Sequence, residues 1–137
     1  IIGPFFNIKL VKLLKKISLK HINVKLIFYP KNIWQIMLKN DVVICSSGLT
    51  KYETILLGLP SIVFCSNKLQ KKYNRGYEKK NISVNIDDIK QRNEVKKSVK
   101  NLIQSYDKRK KLLYKSNKII DLNGANRILK VIKNLKN

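Results

Sequence analysis

The stretch Asp41–Cys65, DVVICSSGLTKYETILLGLPSIVFC, limits what this chain can fold into more than any other. It opens with a short apolar run, Val42-Val43-Ile44-Cys45, and turns through Ser46-Ser47-Gly48. A helical pattern follows over Thr50–Leu57, closed by Gly58 and Pro60, and a second apolar run, Ser61–Cys65, ends the stretch. Strand, turn, helix and strand in so short a space is the compact form of a parallel crossover, since parallel neighbours cannot be joined by a hairpin. In such a unit the helix start lies at the C-terminal edge of the sheet, where anionic ligands bind. Glu53, one turn into the helix, is the sole acid between Val42 and Tyr77.

Around this unit, strand and helix patterns alternate. Ile1-Ile2 reads as a strand end and Gly3-Pro4 as a turn. Asn7–Leu19 carries Ile8, Leu10, Val11, Leu14 and Ile17 at helical spacing with Lys between them, and core packing is the default for its apolar side. Asn23–Tyr29 reads as a strand stopped by Pro30, and Lys31–Leu38 as a short helix with Ile33, Trp34, Met37 and Leu38 on one side. Beyond Cys65 come a weakly patterned helix over Lys68–Lys80, interrupted by Gly76, and a strand over Ile82–Ile86. Asp87-Asp88 is expected to begin a helix reaching Ser105, because acids in a first turn suit the helix dipole. Asp107–Ile120 is a further basic helix, Asp121–Gly124 a break, and Ala125–Leu135 a last amphipathic helix. The expected fold is α/β, a parallel sheet with helices on both faces and a C-terminal helical tail.

With 137 residues, 44% of them hydrophobic, residues 1–137 read as a single domain with one core. The first residue is Ile, and the chain reads as a fragment of something longer. No apolar run approaches the roughly 20 residues that span a bilayer. Cys45 and Cys65 each sit inside an apolar run, which fits buried thiols in a reducing cytoplasm better than a disulfide framework. The net charge of +22 would suit nucleic acid or an anionic membrane. Arg, the residue that forks onto phosphates and bases, stands only at 75, 92, 109 and 127, and the lysines spread over every expected helix. Codon bias toward Lys, Asn and Ile accounts for that charge without a nucleic-acid partner. Peripheral membrane contact through the Asn7–Leu19 helix requires its apolar face to be exposed.

Catalytic groups are hard to find. His21 is the one histidine, and Cys45 and Cys65 cannot complete a metal site with it at any familiar spacing, so no metal or other cofactor is expected. There is no P-loop, no GxGxxG and no close carboxylate pair other than Asp87-Asp88, which a helix start explains better. Ser46–Glu53 differs. Gly48 lets the backbone approach a ligand, hydroxyls and amides at the helix start suit a phosphate, and a carboxylate one turn in suits the cis hydroxyls of a ribose. Thr50-x-x-Glu53 is equally a capping box that satisfies its own helix and needs no ligand. Spacing alone leaves both open.

The run SSGLTKYETILLGLPSIV resembles the nucleotide-binding segment of glycosyltransferase family 28 C-terminal domains, which include the enzyme that makes lipid II. It looks closer still to the sugar-nucleotide hydrolases of the pseudaminic acid pathway and their spore-coat polysaccharide relatives. There the segment reads roughly A-G-G-S-T-x-x-E, then an apolar turn, Gly, a variable residue and Pro. Gly48, Thr50, Glu53, Gly58 and Pro60 keep that pattern, while Ser47 replaces the first Gly and Leu49 the Ser. Asp121–Arg127, DLNGANR, resembles the family's D-G-x-G-A-x-R before the last helix, and Ile2-Gly3-Pro4 its strand-turn opening. The resemblance implies the C-terminal half of a GT-B enzyme of bacterial surface-glycan biosynthesis, with two Rossmann-like domains facing a cleft. It implies UDP-sugar bound by Ser47, Gly48, Leu49, Thr50 and Glu53, with Glu53 on the uridine ribose. Asn67 or Gln70 would stand, at a different spacing, for the family's Asn-Gln contact to sugar or phosphate. The catalytic base and acceptor site would belong to an absent N-terminal domain, leaving transfer and hydrolysis both open and this chain inactive by itself. The alternative is a basic module, without enzyme activity, for nucleic acid or anionic membrane.

Overall fold

The computed structural model describes residues 1–87, 89–116 and 118–135, the side chain of Glu78 excepted. The chain divides into two compact units, Ile1–Ile33 and Trp34–Asn137.

In the first unit, Ile2 forms a parallel bridge with Phe28. The Ile2 amide donates to the Ile27 carbonyl at 2.9 Å, and the Tyr29 amide donates to the Ile2 carbonyl at 3.0 Å. A strand was expected over Asn23–Tyr29, but it exists only as this bridge, because Gly3-Pro4 turns the partner away after one residue pair. Helix α1 (Ile8–Lys20) starts on Asn7, whose side chain accepts from the Lys9 amide at 2.8 Å, a standard N-cap. Contrary to the core-packing default, α1 buries none of its residues, and Val11 and Leu14 are half-buried. Helix α2 (Ile33–Met37) begins on the last residue of this unit and otherwise belongs to the second, where Met37 is buried.

The second unit is built on a three-stranded parallel sheet in the order β1 (Val43–Ser46), β2 (Ser61–Phe64), β3 (Val84–Ile86). Helix α3 (Thr50–Leu56) connects the first pair and α4 (Lys68–Glu78) the second, as parallel neighbours require. Register places Ile44, Ile62 and Val84 side by side, and Ser46, Phe64 and Ile86 side by side. Adjacent residues of a strand point to opposite faces, and both Ile62 and Val63 of β2 are buried, so both faces of the central strand are covered. On one face Ile62 and Ile86 join Leu102 and Leu112 in the core, with Val84, Phe64, Val95 and Val99 against them. Val95, Val99 and Leu102 recur at helical spacing along α5 (Arg92–Gln104), and Leu112 comes from α6 (Tyr106–Ser116). Arg109 joins the two helices by donating to the Leu102 and Ile103 carbonyls at 2.9 and 2.5 Å, which occupies orphan acceptors at the end of α5. Helix α7 (Gly124–Asn134) follows and buries none of its residues.

Two helix ends differ in how well local chemistry foretold them. At the end of α3, Gly58 has φ +65°, the left-handed conformation that suits glycine. The Leu59 amide donates to the Thr54 carbonyl at 2.8 Å and the Gly58 amide to the Ile55 carbonyl at 3.1 Å, which is the Schellman closure. At the other end of the sheet, α5 begins at Arg92 rather than at Asp87. Asp87 instead pairs with Lys71 of α4 at 2.6 Å, and the first-turn acid is Glu94. Asp88 lies outside the described residues. Among the described residues, no helix is long and apolar enough to cross a membrane.

Candidate functional site

The loop Ser47-Gly48-Leu49 leaves the C-terminal end of β1 and runs into α3. The Ser47 amide donates to the Phe64 carbonyl at 2.7 Å and so extends the β1–β2 ladder by one residue. Leu49 is the residue before the helix and makes no side-chain cap, while Thr50 already lies inside α3. The capping box therefore does not form. Thr50 would have to precede the helix to reach the amides it is meant to satisfy. The Glu53 amide turns back to the Leu49 carbonyl at 3.3 Å, and its half-buried carboxylate accepts no hydrogen bond from the described residues. Leu49 is exposed, Gly48 and Thr50 are half-buried, and Ser47 is buried.

The side-chain oxygens of Asn67 and Gln70 are used in starting α4. Asn67 Oδ1 accepts from the Gln70 amide at 2.8 Å, and Gln70 Oε1 accepts from the Ser66 amide at 2.8 Å. That reciprocal pair performs the capping role here. Asp121 and Arg127 meet as an exposed ion pair, with Arg127 Nη1 3.0 and 2.9 Å from the two carboxylate oxygens. The arginine, together with the Asn123 amide, holds the Asp121 carboxyl below its usual range. The spacing D-x5-R thus has a local structural reason, the start of α7.

The residue that pattern reading missed is Lys51. It lies on the inward stripe of α3 with Thr54 and Ile55 and is only 3% exposed. Its ammonium donates to Ser47 Oγ at 3.0 Å and to Asn74 Oδ1 at 3.2 Å, and Ser47 Oγ donates to the same Asn74 oxygen at 2.9 Å. Lys51 Nζ also lies 4.3 Å from the centre of the Tyr77 ring and 5.1 Å from that of Tyr52, while the two rings meet edge to face. Burial first, then the hydrogen bond with Tyr52, pushes the Tyr77 phenol above its usual value, so it faces the ammonium as a neutral ring. From Asn74 the network continues through Nδ2 to Asn85 Oδ1 at 3.0 Å, which also accepts from Ser83 Oγ at 3.2 Å. Asn85 and Ser83 in turn line a cavity of about 830 Å³ that also takes in Lys108 and Lys111 of α6. The groups bonded to the Lys51 ammonium are neutral, and among the described residues no carboxylate pairs with it.

Cys45, at the end of β1, is buried close to this cluster, and no disulfide joins it to Cys65. Burial, and then the charge of Glu53, push its thiol up to about 11, against a smaller downward pull from Lys51. At neutral pH it is a protonated core side chain. Alkylation of Cys45 in a Cys65→Ser protein, followed by mass spectrometry, is expected to be slow at pH 8 and to accelerate about tenfold per pH unit up to that value. Because the folded pKa exceeds the unfolded one, the contribution of this thiol to stability is complete below about pH 9 and is lost as pH rises through about 11. A rate that levels off near pH 8.5 would show an ordinary exposed thiol. Among the described residues no three His, Cys, Asp or Glu side chains gather closely enough to hold a metal ion.

No family model matches the chain. No solved structure matches it. A curated relative, the uncharacterized protein MJ1062 of Methanocaldococcus jannaschii, is 32% identical over 93 residues. Those residues are 66% of this chain and 19% of the relative, so the chain spans about a fifth of that relative's length.

Proposed function

We propose that this chain is the nucleotide-binding part of a UDP-sugar enzyme of the glycosyltransferase family 28 type, a Rossmann-like half of a GT-B architecture acting in surface-glycan biosynthesis in the cytoplasm. One observation carries the proposal. The Glu53 carboxylate sits one turn into the helix after the β1 loop, and no group of its own helix uses it. Among the described residues nothing donates to that carboxylate, and its oxygens are open to solvent, so both are free to accept from a ligand. The two cis hydroxyls of a ribose are donors of the right number and spacing for its two oxygens. Gly48 and Thr50 lie between that carboxylate and the end of β1, where a diphosphate would follow the ribose. Asn67 and Gln70 use their side-chain oxygens at the start of α4, which leaves their amide NH2 groups as the donors they would offer a sugar or phosphate. Hydrolysis and glycosyl transfer share this half, and the group that breaks the sugar bond belongs to a second domain.

Calorimetric titration of the protein with UDP and with uridine, at high salt, tests the assignment. Saturable one-to-one binding in which uridine competes with UDP is expected. Binding that collapses as salt rises and does not depend on the base would instead show a basic module for polyanions, and would overturn the proposal.

A further inference from the structure

The cavity of about 830 Å³ beside β3 takes its shape from the end of the sheet. Strand β3 pairs with β2 on one side, and among the described residues no backbone group pairs with it on the other. Ser83, Val84 and Asn85 all line the cavity. Val84 packs on the core under α5 and α6, whereas Asn74 of α4 donates to Asn85 Oδ1 at 3.0 Å on the opposite face. Consecutive strand residues point to opposite faces, so a cavity that reaches all three runs along the unpaired edge. Lys108, Lys111 and Lys115 form another wall. They recur turn by turn along α6, so the cavity follows that helix for about 10 Å. None of the lining residues belongs to the β1–α3 loop, and nothing below rests on the nucleotide assignment.

Among the described residues none of these three lysines pairs with a carboxylate; the ion pairs there are Lys71–Asp87 and Arg127–Asp121. Like charges three and four positions apart on a helix repel each other. With 8 acids against 30 basic residues, the chain cannot neutralise the row itself. An unpaired strand edge is a template for another strand, and main-chain pairing there is a general way to bind an extended peptide. We propose that the groove between β3 and α6 binds an extended acidic segment of a partner protein, which adds to the sheet beside β3 and sets its carboxylates against Lys108, Lys111 and Lys115. Side chains on one face of a strand repeat about every 7 Å, so two acids at alternate positions match the length of the lysine row. A second copy of this chain does not supply them: its strands β1, β2 and β3 hold no acid, and nowhere in its sequence do two acids stand two positions apart. Of the acids that line the groove, Asp87 is matched by Lys71 at 2.6 Å, while Glu94 disfavours a carboxylate beside itself and confines the segment's charge to the α6 side.

The test titrates the protein into a short fluorescent peptide that alternates Glu and Thr, by anisotropy, at salt high enough to screen long-range attraction to so basic a chain. Lys108→Gln, Lys111→Gln and Lys115→Gln together are expected to weaken binding about tenfold or more. Lys9→Gln, Lys12→Gln and Lys16→Gln, which remove the same charge from exposed positions of α1, should change it less than about threefold. The same peptide methylated on its backbone nitrogens keeps its charge but cannot donate to a strand, and its binding should be lost. Hydrogen exchange needs no variant: the wild-type peptide is expected to slow exchange of amides within Ser83–Ile86. Failure of the wild type to bind, equal losses in the two triple variants, full binding of the methylated peptide, or unchanged exchange along β3 each overturns the proposal. So does an oligothymidylate that binds more tightly than the peptide through the same three lysines, since the row would then serve a phosphate backbone.

Discussion

Cutting Ile62 back to alanine is expected to destabilise the Trp34–Asn137 unit by about 2–5 kcal/mol, the range for a buried large-to-small change that leaves a cavity. Ile62 is fully buried on the central strand and touches the core formed with Ile86, Leu102 and Leu112. Domains of this size hold about 5–15 kcal/mol in total, so the unfolding midpoint should drop by on the order of 10 °C or more. The informative control is Ile44. It pairs with Ile62 in register and points to the same face, yet it is 49% exposed because β1 is the outer strand. Ile44→Ala is therefore expected to cost less than about 1 kcal/mol, since little apolar surface leaves water there. Equal losses at the two positions, measured by urea unfolding, would mean that β1 is covered in solution and that the strand order is not the whole sheet.

The same contrast shows what the amino-acid order made legible. Val42–Cys45 and Ser61–Cys65 are apolar runs of strand length separated by a helix with a Gly at its end, and only a parallel crossover satisfies all three features at once. The structure places β1, α3 and β2 there, with Gly58 in the left-handed conformation that ends the helix. Asn23–Tyr29 carries an equally good strand pattern, but a strand also needs a neighbour, and the chain offers it only Ile2. The start of α5 was misplaced because two acids in a row look like a first helical turn. Asp87 spends its carboxylate on Lys71, a contact 16 residues away that no local rule contains.

Helix α4 is the more instructive case. Its pattern looks weak because its inward stripe is polar: Gln70, Asn74 and Tyr77 fall at helical spacing, and Asn74 is the buried member. The period was present, written in amide and phenol groups instead of aliphatic ones. Those groups match Lys51 and Ser47 on the facing segment, so neither half of the network makes sense without the other. Lys51 shared its stripe with Thr54 and Ile55, and that spacing was a sufficient signal that a lysine would be carried inward. The choice between capping box and ligand site needed the backbone itself. Thr50-x-x-Glu53 fits both, and only the position of the first helical residue, one earlier than a box requires, separates them.

That separation gives the Glu53 variants their expected outcome. If the carboxylate holds a ribose, Glu53→Gln keeps the shape but replaces an ionised acceptor by a neutral one, and hydrogen bonds to charged groups are worth about 1.5–3 kcal/mol against about 1 for neutral pairs. UDP affinity is then expected to fall about 10- to 100-fold, and uridine affinity by the same factor, because the lost bonds belong to the sugar. The wild type should also discriminate against 2′-deoxyuridine diphosphate, since a carboxylate left with one unmatched oxygen bears the cost of the missing hydroxyl. Glu53→Gln should lose most of that discrimination, binding the ribo and deoxy nucleotides nearly alike. Stability should scarcely move, because no helix amide relies on the Glu53 side chain. The opposite result, an unfolding midpoint that falls with unchanged nucleotide affinity, belongs to a capping residue and would remove Glu53 from the site.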